Sequence, residues 1–321
     1  MRRYITIDGG TTNTRLYLVE DGKVTDSVSL GTGSKNAESK AILTKRVREG
    51  IGQILTAHGL AETDICCILA SGMITSEFGL CTLAHTVLPA GIAELREAAA
   101  EVTLPEISSV PFFFIGGVKS VGDRLEDCDL MRGEETELVG ILTPEDGACV
   151  YVLPGSHSKL IRVDGHGRIC DFKTMLTGEM IAALSAHTIL ASSVNIAEGE
   201  LFCPALFEGY RYAEAHGVNE ALFKTRVLTN VFMKDAAYTY SFFLGAVLQG
   251  EIRAILAMPE ERIVIGGRKQ LRRAMAHLLS AVSDKRITEP DDDTVDSSTA
   301  RGAVRIFEYG LPETVSRAAA P

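Results

Sequence analysis

Twice along this chain of 321 residues, an apolar strand pattern runs into a short turn crowded with hydrogen-bond donors and then resumes behind it. Both times a third strand follows, and the pattern then changes to alternating helices and strands. In the first half, residues 4–8, 12–20 and 23–30 read as an antiparallel meander, with Asp21-Gly22 as the hairpin signal between the second and third strands. A helix is predicted over 37–58, because Ile42, Leu43, Val47, Ile51, Ile54 and Leu55 recur at helical spacing and Gly59 is placed to stop it. The run ICCILASG (65–72) reads as a strand buried on both faces, followed by a helix at 91–102 and a strand at 111–117. In the second half, three strands within 148–176 precede helices at 178–190, 204–216, 219–229 and 235–257, a strand at 261–267, and helices at 268–282 and 297–309. A meander followed by helix and strand in alternation, written twice, predicts a duplicated α/β architecture. The two units expected are 1–146, with 297–321 packing back on it, and 147–296.

Composition narrows the function classes. A formal net charge of −10 with no concentrated basic stripe argues against a nucleic-acid partner. No run approaches the length of a membrane span, and the first residues enter a strand pattern without a signal-peptide core, so no membrane and a cytoplasmic location are expected. Seven cysteines, with Cys66 and Cys67 adjacent inside an apolar run, read as small buried hydrophobes rather than a disulfide framework. The acidic run Asp291–Asp293 and the final SRAAAP read as solvated.

The turns carry the chemistry. In DGGTTNTR (8–15), Gly9 and Gly10 let backbone approach a ligand, while Thr11, Thr12 and Asn13 add donors beside the main-chain N–H groups, a concavity suited to phosphate. Asp8, at the end of the strand, is suited to a hydrated magnesium ion that would neutralise that phosphate. The bland alternative is a glycine-rich hairpin with a solvent-facing Asp. The second turn, Gly155, Ser156, His157, Ser158 and Lys159, stands at the equivalent place in the second half, and two such cradles would face each other across a cleft. Gly266 and Gly267 end a buried strand before a helix, either as a structural turn or as a surface against which adenine could lie. Glu134 and Glu135 open a helix with Leu138, Val139 and Leu142 on its buried face; they are either favourable charges at a helix start or a carboxylate that takes a proton from a hydroxyl during phosphoryl transfer. Arg15 and Arg132 are the cations chosen for an anionic substrate, and the loop LASGMITSEFG, with Gly72 and Met73, has the make-up of a ligand-contacting segment.

The octet DGGTTNTR resembles the first phosphate motif of the sugar kinase, heat-shock ATPase and actin superfamily. The segments MRGEETEL, VLPGSHSKL and DFKTMLTGE resemble, in order and spacing, the 2-dehydro-3-deoxygalactonokinase family. The resemblance implies a duplicated actin-like ATPase (ribonuclease H-like) fold in two lobes. It also implies use of ATP and Mg2+, and transfer of a phosphoryl group to the 6-hydroxyl of 2-dehydro-3-deoxy-D-galactonate in galactonate catabolism. By position it maps the catalytic base onto Glu135, with Glu134 as the other candidate. The chain departs from the wider pattern in having Glu where Asp is usual, and Gly9 where many members carry Trp. The alternatives are a kinase for another 2-keto-3-deoxy sugar acid or sugar, and a non-catalytic sugar sensor on the same fold. The sequence leaves the oligomeric state open, a homo-oligomer included.

Overall fold

The structure is a computed structural model that describes residues 1–34, 36, 37, 39–194 and 201–311. The tail SRAAAP lies outside the described residues. The chain divides into two units, Met1–Glu145 with Gly167–Asp171 and Asp291–Pro321, and Asp146–His166 with Phe172–Pro290.

In chain order the first unit holds β1 (Arg3–Gly9), β2 (Thr14–Glu20), β3 (Lys23–Ser29), α1 (Lys40–His58), β4 (Cys67–Gly72), β5 (Thr86–Val87), α2 (Ile92–Glu97), β6 (Ala100–Val102), β7 (Phe112–Phe114), β8 (Val118–Ser120), β9 (Asp129–Met131) and α3 (Glu134–Ile141). Its main sheet has the order β3-β2-β1-β4-β7-β6. The meander is antiparallel, β1 pairs β4 in parallel, and the register sets Asp8 opposite both Arg15 and Ser71. The hairpin between β2 and β3 turns on Asp21 and Gly22, both at positive φ as the Asp-Gly signal requires. Ser39 caps α1 by accepting from the Ile42 amide, and Gly59 ends it in the left-handed conformation. Between those caps Leu43, Val47, Ile51 and Ile54 bury against Ile5, Ile7, Leu16 and Leu18, each contributing about 1.5–3 kcal/mol of transfer free energy.

The second unit holds β10 (Cys149–Leu153), β11 (Ser158–Val163), the part of β12 (Ile169–Met175) from Phe172 on, α4 (Thr177–His187), α5 (Cys203–His216), α6 (Val218–Asn230), α7 (Ala236–Leu256), β13 (Arg262–Ile265), α8 (Lys269–Val282) and β14 (Arg286–Thr288), in the sheet order β12-β11-β10-β13-β14. Its core gathers Val150, Val152 and Leu160 of the sheet with Leu244, Leu248, Ile252 and Ile255 of α7. The chain ends in α9 (Asp292–Asp296) and α10 (Ser298–Glu308), which belong to the first unit. Arg305 of α10 donates to the carbonyls of Val139 and Leu142, holding the last turn of α3. In both sheets the first two strands pair antiparallel as predicted and further strands are added in parallel, with β6 joining the edge of the first sheet antiparallel to β7.

The structure corrects several expectations. The helix predicted over 91–102 stops at Glu97, and Ala100–Val102 forms an edge strand on β7. A small sheet, β5-β8-β9, and the short strand β14 have no counterpart in the sequence reading. Cys66 is partly exposed rather than buried like Cys67. Asp291 and Asp293 are exposed, as expected of a solvated run, and Asp291 in addition caps α9 by accepting from the Thr294 amide at 2.7 Å. No helix among the described residues is long and apolar enough to cross a membrane.

Candidate active site

In the first unit, three chain ends converge: the C-terminal ends of β1 and β4 and the start of α3. The contact is backbone on backbone. A Cβ built on Gly9 would lie 2.7 Å from both the amide nitrogen and the Cβ of Ile74; one on Gly72, whose φ is +80°, would lie 2.5 Å from the Gly9 carbonyl oxygen; and one on Gly133 would lie 3.1 Å from the Cα of Gly72. Glycine is therefore required here by close approach, and a side chain as large as Trp at position 9 would have no room in this arrangement.

This packing brings Asp8, Arg15 and Glu134 into electrostatic contact. Burial raises the Asp8 pKa; the Arg15 guanidinium opposes that rise and the Glu134 carboxylate adds to it. Arg15 is exposed, Asp8 and Glu134 are half-buried, and the Ser71 hydroxyl, opposite Asp8 in register, is buried with no hydrogen-bond partner among the described residues. The opening turn closes with the Gly10 amide donating to the Asn13 carbonyl at 2.8 Å. Thr11 and Thr12 stand at the tip, half-buried and exposed. The Asn13 side chain faces the loop behind: its Oδ1 accepts from Ser29 Oγ at 3.0 Å and from the Gly31 amide at 2.9 Å.

The two glutamates occupy different surroundings. Glu135 is fully buried, and its carboxylate folds back over the helix start to accept from the Gly133 amide at 2.9 Å and from Thr136 Oγ1 at 3.2 Å. Desolvation, reinforced by Glu134, pushes its pKa up to about 8 against those hydrogen bonds. Glu134 is half-buried, and its carboxylate accepts from the Arg132 amide at 3.1 Å. The Arg132 guanidinium is engaged with the loop after β4, donating to the Thr75 carbonyl (2.8 Å), Thr75 Oγ1 (2.7 Å) and the Leu83 carbonyl (3.0 Å), with a ring nitrogen of His85 at 3.3 Å. Desolvation, Arg132 and Lys119 together lower the His85 pKa. Gly72 and Met73 lie in the same convergence, Gly72 buried and Met73 half-buried.

In the second unit the equivalent turn exposes Gly155, Ser156 and His157 in part, while Ser158 and Lys159 are buried. No atom comes within 4 Å of a Cβ placed on Gly155, so its outer side is open. Two segments brace the turn. At the start of α4, the Glu179 amide donates to the Ser156 carbonyl at 3.2 Å, its carboxylate meets His157 Nε2 at 3.0 Å, and Gly178 presses on Gly155 so closely that a Cβ would sit 2.3 Å from the Gly155 oxygen. At the end of β13, the Arg268 amide donates to the Pro154 carbonyl at 2.8 Å and its guanidinium to Ser156 Oγ at 3.0 Å. Lys159 Nζ donates to the His157 carbonyl at 3.1 Å. Of the glycine pair expected near adenine, Gly266 is buried and donates to the Val152 carbonyl, and Gly267 packs on Pro154. Thr177, Glu179, Glu251 and Arg268 support this turn and went unassigned in the sequence reading. The segment LTGE was visible as a motif, but its role depends on residues distant along the chain.

A family model described as 2-keto-3-deoxy-galactonokinase matches residues 8–305. The chain is 30% identical over 203 residues, 62% of this chain and 61% of the relative, to a "probable 2-dehydro-3-deoxygalactonokinase" of Rhizobium meliloti (strain 1021). It is 28% identical over 196 residues, 60% of each chain, to the 2-dehydro-3-deoxygalactonokinase of Escherichia coli (strain K12). These matches span about three fifths of the length of each curated relative. Among solved structures, the crystal structure of a "putative 2-dehydro-3-deoxygalactonokinase protein from Sinorhizobium meliloti" superposes with a TM-score of 0.73 at 22% identity, covering 96% of this chain and 99% of that one. The fold is the duplicated actin-like ATPase fold expected from the sequence.

Proposed function

Because this chain belongs to the 2-keto-3-deoxy-galactonokinase family, we propose that it is an ATP-dependent kinase that phosphorylates the 6-hydroxyl of 2-dehydro-3-deoxy-D-galactonate in galactonate breakdown. The observation that carries this reading is the grouping of Asp8, Arg15 and Glu134 at the C-terminal ends of two adjacent strands, where α/β sheets commonly receive ligands.

In the reaction, the substrate hydroxyl oxygen forms a bond to the γ-phosphorus while the bond from that phosphorus to the bridging oxygen of ADP breaks, and the hydroxyl proton passes to a carboxylate. The geometry favours Glu134 as that carboxylate over Glu135, because Glu134 is only half-buried whereas Glu135 is fully buried at the start of α3. Glu135 then acts as a positioning group that fixes the Gly133 turn. Each turn by itself, around Thr11 and Thr12 in the first unit and around Ser156 and His157 in the second, offers polar groups suited to phosphate, and adenine is assigned to the side of Gly266 and Gly267. Arg15, the exposed cation beside Asp8, is suited to the substrate carboxylate, which an acidic protein has to neutralise locally.

The residues present fit a hydrated magnesium ion. Asp8 would hold it, beside the buried Ser71 hydroxyl that has no hydrogen-bond partner among the described residues, and with no group of three or more metal-binding side chains among those residues, water and phosphate oxygens would complete the shell. When bound, the ion would neutralise charge on the phosphates.

The test is ADP release from ATP and magnesium with 2-dehydro-3-deoxy-D-galactonate, its gluconate epimer, galactonate and neutral hexoses as acceptors. Selective turnover of the first supports the proposal. Turnover of another acid alone replaces the substrate, and sugar binding without ADP release favours a sensor.

A further inference from the structure

The apolar run of α7 contains one carboxylate whose presence its packing does not explain. Glu251 is only 3% exposed and shares a helix with the core residues Leu248, Ile252 and Ile255. Burying a carboxylate costs several kcal/mol unless hydrogen bonds and charges compensate, and an apolar side chain of similar volume would serve packing better. The compensation here is partial. Thr177 Oγ1 donates to Glu251 Oε2 at 2.5 Å and the Ser158 hydroxyl lies near enough to favour the charged carboxylate, while Oε1 is buried with no partner among the described residues.

The two partners are the significant feature. Ser158 is the first residue of β11 and Thr177 the first of α4, so they stand where the second cradle is held from either flank. Ser158 Oγ in turn accepts from the Gly155 amide, at the open tip of the turn. We infer that Glu251 is a positioning residue for nucleotide binding: its carboxylate holds the Ser158 and Thr177 hydroxyls, and through them it sets the conformation of the turn Gly155–His157 that receives phosphate. This rests on the kinase reading and extends it to a residue some distance along the chain from any turn.

An interaction made equally in the ground state and the transition state changes KM and leaves kcat alone. Replacing Glu251 should therefore weaken ATP binding without slowing turnover at saturation. Two variants separate this from a structural role. Glu251→Gln retains the shape and an acceptor but places an amide donor against hydroxyls that themselves donate. Glu251→Leu removes the buried charge and is expected to leave the melting temperature unchanged or to raise it. In the full-length protein, the KM for ATP should rise about tenfold in both variants, with kcat within about twofold of the wild type, and a direct ATP titration should show the same loss. Should Glu251→Leu fail to fold, Glu251→Gln decides the matter.

A KM for ATP within twofold of the wild type in a folded variant, or a fall in kcat at unchanged KM, overturns the inference while leaving the kinase reading intact. A wild-type protein that binds no ATP and releases no ADP overturns the kinase reading, and this inference with it.

Discussion

Glu135→Gln tests the electrostatics of the candidate site through stability, independently of any substrate. The Glu135 carboxyl is fully buried, and its pKa rises from an ordinary 4.5 to about 8. The folded state thus binds this proton more tightly than the unfolded state does. Its stabilising contribution is fully present below pH 4.5 and is lost as pH rises through 8. At about 1.4 kcal/mol per pH unit the whole loss amounts to about 5 kcal/mol, of which roughly half falls between pH 5 and 7. Glutamine carries no charge at any of these pH values and keeps an oxygen to accept from the Gly133 amide, so whatever packing penalty it introduces stays constant with pH. Urea unfolding of wild type and variant at pH 5, 6, 7 and 8 should show the variant gaining on the wild type by about 2–3 kcal/mol between pH 5 and 7. Parallel curves, with a difference constant to within about 0.5 kcal/mol across the range, would refute the claim that the carboxylate is desolvated at the head of α3.

The other expected outcomes concern the same convergence of chain ends. Glu134→Gln should lower kcat about 100- to 10,000-fold with little change in the KM for ATP, and a collapse confined to Glu135→Gln would return the base to Glu135. Asp8→Asn should raise the magnesium concentration needed for half-maximal ADP release by about tenfold or more; an unchanged magnesium titration would remove Asp8 from the metal site. Gly9→Ala forces a Cβ to 2.7 Å from Ile74 and should cost about 1–3 kcal/mol in urea unfolding, whereas an unchanged midpoint would show that the strand ends can separate at no cost.

What the sequence made legible follows from the range of the interactions involved. The β2–β3 hairpin turns on the adjacent Asp21 and Gly22, and α1 lies between a Ser and a Gly that act within a single turn, so both could be read locally. Strands β5, β6, β8, β9 and β14 are two or three residues long, too short for an alternating pattern, and exist only because a distant strand pairs with them. The same division runs through the site. Asp8 and Glu134 announce themselves by residue type at a strand end and a helix start, whereas the difference between Glu134 and its neighbour arises from how α3 is tucked behind the Gly72–Gly133 contact. Glu251 was hidden twice over, by an apolar helix around it and by hydroxyl partners in other elements.

The two turns occupy equivalent places in the two sheets and are held by different mixtures of contacts. The first combines main chain pressed against main chain, Gly9 on Ile74 and Gly72 on Gly9, with neutral amide side chains, Asn13 accepting from Ser29 and the Gly31 amide and Asn36 donating to the Thr12 carbonyl. The second also has main chain pressed on main chain, Gly178 on Gly155 and Gly267 on Pro154, and adds ionisable side chains: Glu251 on Thr177 at its flank, Lys159 on its carbonyl, His157 against Glu179 and Arg268 on Ser156. A steric lock fails in one step when a methyl group is added, whereas a polar brace can be altered one hydrogen bond at a time. A methyl group added at Gly9 or at Gly178 therefore disturbs either turn through its main chain, whereas the ionisable braces of the second turn can be removed one at a time without touching the strands.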